Sequence, residues 1–260
     1  MKIVRFSHEG KSSYGIIEDD TVSGIQGSSL QGLLKSLSSP RLTGRIYTLD
    51  AIRLLPPCIP SKLVCLGLNY RKHAEEFNLP IPTTPLIFLK PSTAVIGPSD
   101  SIILPKNSKR VDYEAELGVV MGRRAKDVKP AQVNDYILGY TCVNDVTERH
   151  NQAEDGQWTR AKGYDTFAPI GPCIETSMSP DNVLVESILN GEIRQSARTS
   201  DLIFGISELV SFISSVMTLL PGDIIATGTP SGVGRLQPND TIDIRIEGIG
   251  ILTNYTAIAD

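Results

Sequence analysis

The chain has 260 residues, 40% of them hydrophobic and 21% charged, and carries a formal net charge of −4. This is the composition of an ordinary globular protein, long enough for one large domain or for a small domain joined to a larger one. Its charges are interspersed with no dense Lys/Arg cluster, and its longest apolar-rich stretch, Leu209 to Leu220, is too short to span a bilayer, so neither nucleic acid nor a membrane is an expected partner.

The N-terminal segment Met1–Phe6 lacks the apolar run of a signal peptide, and the cytoplasm is the expected location. Cys58, Cys65, Cys142 and Cys173 show no metal-type spacing and sit among apolar neighbours, which fits reduced, packed thiols better than disulfides or zinc ligands.

In chain order, Ile3–Phe6, Tyr14–Ile17 and Val22–Ile25 read as short strands, followed by a short helix near Leu30 to Ser36. The breakers Ser38-Ser39-Pro40 and Leu55-Pro56-Pro57-Cys58-Ile59-Pro60 place a boundary near residue 58, giving a small α+β unit over 1–57 and a larger domain over 58–260. Lys62–Gly67 is a predicted strand, and Asn69–Phe77 a turn entering a short helix that Pro80 and Pro82 stop. Leu86–Leu89 and Ala94–Ile96 are further strand pieces. The Asn190-Gly191 step between Val183–Leu189 and Glu192–Arg194 signals a hairpin. Ile206, Leu209, Val210, Ile213, Val216, Met217 and Leu220 recur at helical spacing, with Ser207 as the expected N-cap and Pro221-Gly222 as the stop. Thr241–Ile246 alternates like a strand with one dry face, and Ile249–Tyr255 extends the sheet. The fold class is mixed α/β and strand-rich, with few helices.

Two strand-like segments carry carboxylates. Glu114 and Glu116, in Val111-Asp112-Tyr113-Glu114-Ala115-Glu116-Leu117, are one residue apart and point to one face of a strand; Asp145 follows in Val143-Asn144-Asp145-Val146-Thr147. On a solvated face such acids need no partner. In a barrel or cleft, their repulsion and desolvation call for a compensating cation, and a divalent metal that prefers oxygen is the natural one.

His8 reads as a surface residue. His73 precedes Glu76 by three positions, so on a helix the carboxylate can orient the ring for activating water, although such pairs are also common on surfaces. Arg149 and Gln152 suit pairing with, and hydrogen bonding to, an anionic substrate; the competing account is a polar helix start capped by Asp145. Lys162 lies in a turn-prone, aromatic stretch, where it is either functional or a solvated loop charge. The loop Thr227-Gly228-Thr229-Pro230-Ser231-Gly232-Val233-Gly234 lacks the Gly-Lys-Ser/Thr ending of a Walker loop and no helix pattern follows, which excludes that mode of nucleotide binding. Its glycines and Thr229 could still approach a substrate carboxylate.

Taken together, these blocks resemble the fumarylacetoacetate hydrolase family, in particular its short members related to acylpyruvate hydrolases, decarboxylases and 2-hydroxyhepta-2,4-diene-1,7-dioate isomerases. The resemblance runs from about residue 60 to the C-terminus through Gly67–Glu76, Asp112–Leu117, Asn144–Thr147 with Arg149 and Gln152, Lys162–Thr166, Asn190-Gly191 and Thr227–Gly234. A weaker likeness covers the N-terminal unit.

The resemblance implies a mixed β-sheet roll, commonly dimeric, with an Mg²⁺ or Mn²⁺ site. It makes Glu114, Glu116 and Asp145 the metal ligands, His73 with Glu76 the water-activating pair, and Lys162 a neighbour of the bound substrate. Arg149, Gln152 and Thr229 become substrate contacts. The implied substrate is a small 2-oxo acid: an acylpyruvate cleaved by water at its C–C bond through a metal-stabilised enolate, or alternatively a 2-oxo diacid that is decarboxylated or isomerised. A non-catalytic 2-oxo acid binding protein is the reading from another class. The segment Glu75 to Pro85, with Asn78, is expected to act as a lid.

Overall fold

A computed structural model describes residues 1–27, 29–34, 37, 39–76 and 80–259. Among these residues a large mixed sheet forms the backbone of the fold. Its strands run in the order Leu42–Thr48, Thr21–Ile25, Lys11–Glu18, Lys2–His8, Ala168–Glu175, Ile137–Asn144, Ala115–Met121, Ile224–Ala226, Lys62–Gly67 and Leu86–Pro91. The first four belong to the N-terminal unit. They join the rest through the pairing of Lys2 with Glu175 and Ile3 with Ile174, and the Met1 amine lies 2.8 Å from Glu175 Oε1. The chain is strand-rich throughout, as expected.

A five-stranded sheet, Glu192–Arg198, Leu184–Leu189, Thr241–Ile246, Gly250–Ile258 and Ser101–Leu104, packs one face against the large sheet. Thr241–Ile246 alternates between half-buried and buried, with Ile242, Ile244 and Ile246 turned inward. The hairpin forms at Asn190-Gly191, where φ is 52° and 85°, the conformation that an Asn-Gly turn supplies without steric penalty.

The helix Ile206–Val216 buries Leu209, Val210 and Ile213, as its spacing predicts, but both ends differ from expectation. Its N-cap is Gly205, not Ser207, since the Gly205 carbonyl already accepts from Leu209 N–H at 3.0 Å. It ends at Val216 rather than at Pro221-Gly222, because Leu219 and Ala125 exchange two backbone hydrogen bonds of 2.9 Å that draw the chain into an extended bridge. The first helix covers Leu30–Leu34; its expected end at Ser36 lies outside the described residues. His8 is half-buried and packs on Tyr47, ring centroids 4.9 Å apart, instead of standing free on the surface.

The arrangement of four strands positions the candidate site. Lys62–Gly67 and Ile224–Ala226 run parallel, while Ala115–Met121 is antiparallel to Ile224–Ala226 and to Ile137–Asn144. Two strand ends and one strand start therefore meet Asn144 at one edge of the sheet. Glu114 immediately precedes one strand there and Glu116 is its second residue, Asp145 follows another, and the segments after Gly67 and Ala226 carry His73 and Thr229.

Candidate active site

The three carboxylates converge. Glu114, Glu116 and Asp145 are buried, and one oxygen from each lies within 4.8 Å of the others. Ala115 pairs with Asn144, the Asn144 side chain accepts from Glu114 N–H at 3.0 Å, and Asp145 N–H donates to the Glu114 carbonyl at 2.9 Å. The ladder thus fixes the acids across adjacent strands. Asp145 caps no helix; the helix Arg149–Asp155 is capped by Glu148, which accepts from Asn151 N–H at 2.6 Å.

Cations of the chain surround the acids. Lys162 Nζ donates to Glu114 Oε2 at 2.9 Å and Asp145 Oδ2 at 2.6 Å, and sits 4.8 Å over the Phe88 ring, so it is no solvated loop charge. Arg149 bridges Asp112 Oδ2 at 2.9 Å and Glu114 Oε1 at 2.6 Å, and donates to Gln152 Oε1 at 2.9 Å. Burial pushes the Glu114 carboxyl up, but the Lys162 and Arg149 charges outweigh it and hold the group well below the usual carboxylate range. Glu116 shows the opposite result: burial first, then the Asp145 and Glu114 charges, push its carboxyl well above that range.

Glu116 supplies the test of whether a cation fits. Its Oε2 accepts from Gly228 N–H at 2.8 Å, whereas its Oε1 is buried with no hydrogen-bond partner among the described residues. An orphaned carboxylate oxygen beside two further acids is a donor set made of oxygen alone, which suits a hard divalent cation. The residues present fit such an ion.

His73 and Glu76 lie on the helix Arg71–Glu76 with Nδ1 and Oε2 3.1 Å apart. This helix stays close to the glycine-rich loop through Asn69. Its buried amide donates to Thr227 O at 2.7 Å and Phe204 O at 3.2 Å and accepts from Phe204 N–H at 2.8 Å. Gly228, at φ +97°, passes so near that a Cβ there would lie 2.7 Å from Asn69 Cβ. Only glycine tolerates both the dihedral and the approach.

A cavity of about 200 Å³ opens beside these groups. Its lining is mixed: His73, Glu114, Arg149, Gln152, Lys162 and Thr229 are polar, and Leu68, Phe88 and Trp158 are among the apolar residues. Thr229 commits its only donor to the Ala115 carbonyl at 3.0 Å and accepts from Gln195 Nε2 at 2.8 Å, so binding a carboxylate through that hydroxyl requires the Ala115 bond to break. A larger groove of about 680 Å³ near the Ile206–Val216 helix start contains none of the candidate residues. The described part of the expected lid, Glu75, Glu76 and Pro80–Pro85, is mostly exposed; Asn78 lies outside the described residues.

Sequence reasoning missed several groups. Lys90 is 0% exposed and donates to Asp145 Oδ1 at 2.6 Å and Val146 O at 2.9 Å. Its signal was a single charge in the strand Leu-Ile-Phe-Leu-Lys-Pro, which reads as a strand end. Asp112 anchors both Arg110 and Arg149. Trp158 rests on Gly67, where a Cβ would lie 2.7 Å from the indole, a contact no local pattern announces.

Glu114 of the buried acids, His73 and the basic groups Arg149 and Lys162 thus line one small cavity of mixed polarity. The fumarylacetoacetate (FAA) hydrolase C-terminal family matches residues 62–256, and the Rv2993c-like N-terminal family matches residues 1–57. The chain belongs to the fumarylacetoacetate hydrolase family. It is 43% identical to 5-carboxymethyl-2-hydroxymuconate delta-isomerase from Mycobacterium smegmatis, whose crystal structure superposes with a TM-score of 0.91 over 100% of both chains. It is 41% identical to the mitochondrial oxaloacetate tautomerase Fahd2a of Rattus norvegicus over 77% of this chain and 68% of that one. Maleylpyruvate hydrolase from Sphingobium sp. SYK-6, solved with manganese(II) and pyruvate, matches at 28% identity and a TM-score of 0.84 over 100% of both chains.

Proposed function

We propose that the chain is a divalent-metal-dependent hydrolase that cleaves the C–C bond of acylpyruvate-like 2,4-dioxo acids, with Glu114, Glu116 and Asp145 holding Mg²⁺ or Mn²⁺. The observation that carries this reading is that His73, paired to Glu76, opens onto the same cavity as Glu114, Arg149 and Lys162. The manganese- and pyruvate-bound maleylpyruvate hydrolase supports it.

A cation bound by the three carboxylates supplies positive charge for a 2-oxo acid's keto and carboxylate oxygens. Arg149 and the free amide donors of Gln152 bind and orient the substrate's anionic end. Glu76 fixes the His73 ring, which takes a proton from water as the water oxygen bonds to the distal carbonyl carbon. The C–C bond to the pyruvyl methylene then breaks. Its electron pair passes into the pyruvyl fragment, which Lys162 stabilises by its charge, and the proton on His73 returns there to give pyruvate and a carboxylic acid. Phe88 and Trp158 add apolar lining that limits bulk water in the cavity.

The second reading is a decarboxylase or isomerase of 2-oxo diacids. The tautomerase and isomerase relatives favour it, and it needs the cation and Lys162 but no water nucleophile. Side-by-side assays of acetylpyruvate, fumarylpyruvate and oxaloacetate with each metal separate the readings. Turnover restricted to oxaloacetate replaces the first with the second, and silence on a broad 2-oxo acid panel favours a binding protein. A homodimer in the cytoplasm completes the proposal, with light scattering as the check on the assembly.

A further inference from the structure

Each of the three carboxylates has one oxygen set against a scaffold group, an ion pair at Glu114 and a hydrogen bond at Glu116 and Asp145. Glu114 Oε1 is 2.6 Å from Arg149 Nη2, Glu116 Oε2 accepts from Gly228 N–H at 2.8 Å, and Asp145 Oδ1 accepts from Lys90 Nζ at 2.6 Å. One oxygen remains on each. Glu114 Oε2 and Asp145 Oδ2 share the Lys162 ammonium at 2.9 and 2.6 Å, and Glu116 Oε1 has no partner. Two of the oxygens left over thus converge on one shared ammonium, that of Lys162, and the third faces no partner among the described residues.

We propose that Lys90, Arg149 and the Gly228 N–H are positioning groups that restrict each carboxylate to a single coordinating oxygen, so that the site selects a small six-coordinate divalent cation over calcium. The inference rests on the reading of Glu114, Glu116 and Asp145 as metal ligands. Calcium reaches its roughly six to eight oxygen ligands largely by taking carboxylates through both oxygens, whereas Mg²⁺ and Mn²⁺ are satisfied by about six single donors. Two-oxygen coordination at Asp145 would strip the fully buried Lys90 of its carboxylate, which is strongly unfavourable. Three single oxygens leave about three positions on an octahedral ion, enough for the two oxygens of a 2-oxo acid and a water.

Lys90 is the discriminating residue. It is 0% exposed and absent from the cavity wall, and its ammonium donates to Asp145 Oδ1 and Val146 O, so its substitution leaves the substrate surface intact. Nothing in it does chemistry; it acts through Asp145.

The test titrates Mg²⁺, Mn²⁺ and Ca²⁺ calorimetrically into the metal-stripped full chain and into Lys90→Met and Lys90→Arg. The native chain should bind Mg²⁺ at least as tightly as Ca²⁺, Lys90→Met should move that ratio towards calcium by about tenfold or more, and Lys90→Arg should keep the native ratio. A native preference for calcium overturns the inference, as does an unchanged ratio in a folded Lys90→Met. Should Lys90→Met not fold, proton relaxation of water by Mn²⁺ on the native chain decides: about three inner-sphere waters support the inference and two or fewer overturn it. Binding of no divalent cation at all overturns the ligand assignment itself, an outcome distinct from binding without discrimination.

Discussion

His73 Nδ1 and Glu76 Oε2 stand 3.1 Å apart on one face of a six-residue helix, and the Gly232 N–H approaches the other Glu76 oxygen at 3.4 Å. The carboxylate is held from both sides, so the ring it orients has a fixed direction. Replacement of His73 by Ala should cut acylpyruvate hydrolysis by about 10²–10⁴-fold while sparing any oxaloacetate decarboxylation. Steady-state kinetics on both substrates check this; equal loss of both would show that His73 is no dedicated water activator.

Glu116 carries the orphaned oxygen, and its substitution should be the most damaging to cation binding. Glu116→Ala is expected to abolish metal-dependent turnover and the rise in Tm on adding Mg²⁺ or Mn²⁺. The folded chain without metal should tolerate the change, because removing a carboxyl from among like charges relieves repulsion. Retained activity would sink the assignment.

Gly228→Ala should damage stability and site together. The positive φ and the close approach to Asn69 predict a loss of about 1–3 kcal/mol, and any shift of the loop moves the N–H that holds Glu116. Urea denaturation reads the first effect and metal titration the second. Normal values for both would remove the loop from the site.

Asn69→Ala tests the link between the His73 helix and the loop. It leaves Thr227 O and both Phe204 backbone groups without their amide partner, for an expected destabilisation of about 2–4 kcal/mol. A Tm within error of the native chain would show that the amide is dispensable.

The thiols give a pH dependence. Burial pushes Cys58 up to about 12, with Asp223 adding to it, and burial likewise raises Cys173 to about 12. A thiol with a raised folded pKa contributes stability in full below the unfolded value of 9.0 and loses it as pH rises towards 12. Tm should therefore fall across that window, and a thiol reagent at pH 8 should label the cysteines only after unfolding. Rapid labelling of the native chain would contradict their burial.

Much of this fold could be read locally. Lys62–Gly67, the Asn190-Gly191 hairpin and the alternation in Thr241–Ile246 each rest on a period or a turn chemistry that neighbours in sequence impose. The ends of the Ile206–Val216 helix could not, because the Ala125–Leu219 bridge that terminates it spans 94 positions of chain. In the site, the same-face placement of Glu114 and Glu116 and the His73–Glu76 spacing followed from strand and helix geometry. The roles of Asp145 and Lys162 required the resemblance of whole blocks, since each alone has an ordinary alternative.

The sequence by itself determined which residue types could hold a hard cation and activate water, because those depend on side-chain chemistry and short-range periodicity. The tertiary structure decided which carboxylate oxygens remain free and which are tied down by Lys90, Arg149 and the Gly228 N–H. Those contacts join strands and loops distant in sequence, and the burial that makes an unpaired oxygen or an unshielded charge costly exists only once the sheets have closed around them.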